Sequence, residues 1–148
     1  MVTIHNQVLD VHPVDGHPGQ RTVRIEYDIV ASPDDPMVGA VVYERVQVHG
    51  VDLLDAPVPA NSRPLVTHQE SFTVEAGEHH RVVETIVHRT SLDVEQDWWN
   101  TGSGGETQPL AEWMDHIVAE IRLNGGLVDL DQASTPVFTG SWGALGHD

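Results

Sequence analysis

Thr22-Val23-Arg24-Ile25-Glu26-Tyr27-Asp28-Ile29-Val30 alternates apolar and charged residues without a break. A strand sends successive side chains to opposite faces. Val23, Ile25, Tyr27 and Ile29 therefore share one face, and Arg24, Glu26 and Asp28 share the other. A helix, with its period of about 3.6, would scatter the same residues around its whole circumference. The stretch predicts a strand with one buried and one wetted face, as antiparallel sheets have.

Working outward, four further segments carry strand patterns, at residues 2–11, 38–49, 65–74 and 81–94. In the 38–49 segment Val42, Val46 and Val48 share a face with Glu44, opposite Tyr43, Arg45, Gln47 and His49. In the 81–94 segment Val83, Thr85 and Val87 oppose Val82, Glu84, Ile86 and His88. Turn chemistry separates the segments: Asp15-Gly16-His17-Pro18-Gly19 after the first, Ser32-Pro33-Asp34-Asp35-Pro36 after the second. The proline-rich 56–64 run reads as a crossing loop. Glu75-Ala76-Gly77-Glu78 reads as a hairpin joining the fourth and fifth strands. Short strands at this spacing predict a mainly β fold, an antiparallel β-sandwich or meander of five to six strands.

The C-terminal third reads differently. Thr101-Gly102-Ser103-Gly104-Gly105 is a flexible link, Thr107 an N-cap and Pro109 a first-turn residue. Leu110, Trp113, Met114, Ile117, Val118 and Ile121 recur at helical spacing, which predicts an amphipathic helix over 108–123 flanking the sheets. Asn124-Gly125-Gly126 would end it, and a last short strand follows at 127–130. The expected organisation is a single domain over 1–131, helix included, with an extended tail over 132–148.

Composition removes whole classes of chemistry. The 148-residue chain holds no cysteine, and its seven basic residues are all arginine. That excludes disulfides, thiolate nucleophiles and cysteine-bound metal centres. It also excludes a phosphate-loop lysine, a Schiff-base lysine and a pyridoxal phosphate anchor. A net charge of −16 disfavours contact with phosphate backbones, so no direct nucleic-acid binding is expected. Acidity without lysine fits a GC-rich coding bias or a salt-loving host, the first being the plainer account. No apolar run reaches the roughly 18 residues of a membrane span. The first residues lack a basic stretch followed by an apolar one, so no secretory signal and no membrane partner are expected.

Ten histidines invite a metal reading. His79 and His80 are adjacent and would face opposite sides of a strand. On a helix, Glu112, His116 and Glu120 would lie four apart on one flank and could ligate zinc or manganese. That makes a small metal-dependent enzyme or metal-binding module the alternative function, although a solvated polar face explains the same triplet. Asp93, Glu95 and Asp97 alternate, as do Asp129 and Asp131, without a calcium-loop motif. Ser103 and Ser141 sit in glycine turns that do not match a nucleophile elbow. Trp98, Trp99, Val137, Phe138 and Trp142 are candidate interface residues: tryptophans anchor interfaces, and the tail is too short to fold by itself.

The remaining reading is a non-enzymatic structural or assembly protein without cofactor. The layout resembles the small tail-tube, tail-terminator and head–tail connector subunits of tailed bacteriophages, which pair a sandwich with a flanking helix. The resemblance implies copies of itself and neighbouring structural proteins as partners, and the virion or the producing cell's cytoplasm as location. It also gives the acidity a role, in a channel wall past which DNA slides.

Overall fold

The computed structural model describes residues 1–51, 64–88 and 112–144, with backbone only at 18, 51, 112–115 and 140–144. These residues form eight strands: β1 (Thr3–Val14), β2 (His17–Ala31), β3 (Val41–Val51), β4 (Val66–Thr73), β5 (Gly77–His88), β6 (Glu112–Asn124), β7 (Asp129–Ser134) and β8 (Phe138–Ala144). Every pairing is antiparallel, so the fold is mainly β.

Sheet A has the order β1-β2-β5, and sheet B the order β4-β3-β6-β7 with β8 also on β6. Ile117 and His116 already pair with β3 and also pair with β8. Strand β8 must therefore lie beyond the end of β7, on the edge of β6 away from β3. Thr135 fills the gap between β7 and β8: its amide donates to the Ala119 carbonyl (2.9 Å) and its Oγ1 accepts from the Ala119 amide (3.0 Å). Pro136 follows, where a ladder donor is not required.

The alternation in the deciding stretch places its side chains as expected. Val23, Ile25, Tyr27 and Ile29 are buried, and they meet Val42, Val46, Val48, Ile117, Ile121 and Leu123 from sheet B in one shared core. Strand β5 contributes Val83 and Val87, while Val82 and Ile86 face outward. At one open side the sheets are tied by the Asp131 carboxylate, which accepts from the Ile4 amide at 2.7 Å.

Residues 112–123, expected as a helix, are strand β6. The same residues satisfy a period of two: Ile117, Ala119, Ile121 and Leu123 are all buried on the inner face. Val118, counted into the helical stripe, lies on the opposite face. β-Branched Ile and Val favour the pleated state, and pairing with both β3 and β7 outweighs local helix propensity. The glycines that were to cap the helix form the β6–β7 turn instead, with Gly126 at φ 102° and the Gly125 amide donating to the Val128 carbonyl (2.8 Å).

The segment after Val74 does not close a hairpin: β4 and β5 lie in different sheets, and Gly77, at φ 97°, turns the chain between them. The short strand expected at 127–130 starts later, with Leu127 and Val128 exposed in the turn. Residues 132–144 hold the end of β7 and all of β8, so they belong to sheet B rather than to an extended tail.

Candidate functional site

Glu44 has apolar neighbours on the inner face of β3, and its side chain is 0% exposed. A carboxylate in that position is costly unless fully partnered. Register supplies the partners. Tyr27 and Arg81 are paired across β2 and β5, and Glu70 is paired with Glu44 across β4 and β3. Since β4 and β5 are the facing edges of the two sheets, these side chains converge at the open seam between them.

The Tyr27 hydroxyl donates to Glu44 Oε2. Arg81 adds a fork, Nε to Glu44 Oε2 at 3.0 Å and Nη2 to Glu44 Oε1 at 2.8 Å. The same Nη2 reaches Glu70 Oε2 at 3.2 Å, and the guanidinium stands 4.1 Å from the Phe72 ring centroid. His68 Nε2 lies 3.6 Å from Glu44 Oε1 and 3.3 Å from Glu70 Oε2. Burial, reinforced by the Glu44 carboxylate, holds the Tyr27 phenol far above its usual range, so it stays a donor. Burial works against the charge of Arg81, but its hydrogen bonds to Glu44 outweigh that and fix it as a cation.

Glu44, His68 and Glu70 each offer an atom within 4.8 Å of the others, the geometry of a three-ligand cation site. Arg81 already bonds to both carboxylates of that triad. Its planar fork is suited to bidentate carboxylate pairing, so the cluster carries its own cation. Chemically, Glu44 accepts from Tyr27 and Arg81 at one oxygen and from Arg81 at the other, and Tyr27 cannot ionise near neutrality. The cluster is built as a clamp between sheets.

A second cluster lies on the outer face of sheet A. His80 bonds through Nδ1 to Asp28 Oδ1 (2.7 Å) and through Nε2 to Glu26 Oε1 (3.0 Å). Asn6, at φ 57° within a β1 bulge, donates to Asp28 Oδ2 at 2.9 Å. The Asp28 and then the Glu26 bonds raise the His80 pKa above the usual histidine value. Asn6 and His80 lower Asp28, and His80 lowers Glu26.

The expected metal triplet is not brought together. His116 and Glu120 stand four residues apart on a strand, about 13 Å at the usual rise, and Glu112 begins β6 farther away still. His116 Nδ1 bonds to Thr139 Oγ1 at 2.6 Å, and Glu120 accepts from Arg122 at 2.8 Å. Phe138 packs against the core and Val137 is half-buried. Trp142 lies in β8, where only the backbone is described, and Trp98 and Trp99 lie outside the described residues. The seam cluster was missed as a site, although its signal was present: a glutamate and a tyrosine on faces otherwise lined by valine and isoleucine.

No protein-family model matches the chain, and no curated protein matches it in sequence.

Proposed function

We propose that this chain is a non-enzymatic structural or assembly domain, a β-sandwich that acts by self-association or docking onto neighbouring structural proteins. One observation carries the reading. Among the described residues the most deeply buried carboxylate, Glu44 at the seam between the sheets, is tied to Tyr27 and Arg81 and holds the sheets together. The resemblance to small virion subunits of tailed bacteriophages remains part of the proposal on two grounds, the two-sheet layout and the charge of −16. The helix that completed that resemblance is a strand. No described helix is long and apolar enough to cross a membrane.

The test is the native mass by light scattering at two concentrations and at two salt levels. A chain of this charge repels its copies at low ionic strength, and that repulsion shortens to about 8 Å at physiological salt. Assembly that grows with concentration and with moderate salt supports the proposal. A monomer under all conditions, with stoichiometric zinc or manganese on purified protein, would replace it by the metal-binding alternative, then assigned to Glu44, His68 and Glu70.

A further inference from the structure

Arg45 of β3 and Arg122 of β6 are direct register partners. Arg45 lies between buried Glu44 and Val46, and Arg122 between buried Ile121 and Leu123, so both point off the outer face of sheet B. Directly opposed residues have Cβ atoms about 5 Å apart, and like charges in that arrangement destabilise a sheet. The chain nevertheless places two of its seven arginines there, against 23 acidic residues.

Their pairing makes the arrangement more specific. Arg24, Arg81 and Arg122 each engage a carboxylate. Among the described residues Arg45 engages none, and it forms no hydrogen bond or ion pair there. The two guanidiniums line an open depression of about 790 Å³ together with Tyr43, Gln69, Ser71 and Asn124. All four of these are neutral and can donate hydrogen bonds. Of the acids nearby, Glu44 is turned fully into the core, Glu70 bonds to Arg81 across the seam, and Glu120 takes the Arg122 Nε at 2.8 Å, which leaves Asp129 at the rim.

We propose that this depression binds a phosphate-class oxyanion, held between the Arg45 and Arg122 guanidiniums. The Arg45 fork, the Arg122 Nη groups that its bond to Glu120 leaves over, and four neutral donors offer more hydrogen bonds than the two oxygens of a carboxylate accept, and they match the several oxygens of a phosphoryl group. Tyr43, half exposed beside Arg45, supplies a flat apolar surface for the body of a ligand that carries the phosphoryl group.

The test is a titration of the full chain with inorganic phosphate, followed by backbone amide NMR, with sodium chloride holding ionic strength constant. Acetate is titrated in parallel. The expected result is saturable shifts centred on Tyr43, Arg45 and Arg122, with acetate at least tenfold weaker. Arg45→Gln, which relieves the like-charge pair and so holds or raises the melting temperature, weakens phosphate at least tenfold. Arg24→Gln, on the outer face of sheet A, leaves it unchanged. Drifts that do not saturate, or an Arg45→Gln variant that binds as the parent does, would overturn the site. Acetate binding as tightly as phosphate would overturn the assignment to a phosphate-class ligand.

Discussion

Replacing Arg81 by methionine keeps much of the side-chain bulk and removes the cation from the seam. The structure sets the size of the effect. Glu44 is left with a side chain that is 0% exposed, one phenolic donor and a histidine at 3.6 Å. Breaking a buried ion pair from one side costs about 3–5 kcal/mol. Arg81 is itself 21% exposed, so water reaches its side of the seam and the low end applies. The lost stacking of the guanidinium on Phe72 is partly replaced by methionine packing on the same ring. The net expectation is a loss of about 3 kcal/mol.

Urea unfolding followed by circular dichroism reads this directly. With a slope of about 1–3 kcal/mol per molar for a domain of this size, the midpoint falls by roughly 1–3 M. The companion variant is Glu44→Met combined with Arg81→Met. It removes both charges, fills the seam with apolar volume, and is expected within about 1.5 kcal/mol of the parent. A double-mutant cycle with Glu44→Met then gives a coupling of about 2 kcal/mol or more. If Arg81→Met costs under about 1 kcal/mol, or if the double variant loses the sum of the two singles, the clamp is not an obligate charge pair.

Two further outcomes follow from the outer face of sheet A. The His80 pKa is raised when folded, so its contribution to stability is complete below the unfolded value of about 6.5 and fades as pH rises through the folded value. His80→Gln should therefore flatten the melting-temperature profile above pH 6.5, and added salt should shrink the difference because the pair is exposed. A variant profile parallel to the parent's from pH 6 to 9 would refute the coupling. Asn6 holds φ 57°, a region glycine enters freely and β-branched residues avoid. Asn6→Val should lose about 1–2 kcal/mol more than Asn6→Gly in the same denaturation assay, and equal losses would show that the bulge relaxes.

Where each residue had one face to choose, the fold was legible. The β2 alternation placed Val23, Ile25, Tyr27 and Ile29 inside, and the β3 reading put Glu44 among them. The C-terminal third was not legible, because Ile117 and Ile121 are four apart and fit either a helical stripe or one face of a strand. What distinguishes the two is the neighbouring strand: β3 offers nine partners to residues 116–124. No local pattern shows that. The same limit hid the seam cluster, whose members come from β2, β3, β4 and β5. Their partner atoms meet only once the two sheets stack.

The seam cluster also explains how one register is selected from a chain rich in similar apolar strands. Shifting β3 by one residue would exchange Val42, Glu44, Val46 and Val48 for Tyr43, Arg45 and Gln47 on the inner face. Apolar contacts alone penalise that slip only through the valines. With Glu44 in place, the slip also removes a carboxylate from Tyr27 and Arg81 and puts the Arg45 guanidinium beside the Arg81 guanidinium, two cations with Glu70 as the acceptor left beside Arg81. Slips by two residues keep the valine face but move Glu44 out of reach of the Arg81 fork. The buried pair therefore acts less through its own net free energy, which is small compared with an apolar replacement, than through the cost it imposes on every other alignment of β3 against β2 and β5. On this account the Met/Met double variant keeps most of its stability but loses uniqueness. Its amide NMR spectrum at β3 and β4 should show doubled or broadened peaks where the parent shows one set. A single sharp set from a double variant as stable as the parent would show that the apolar pattern specifies the register unaided.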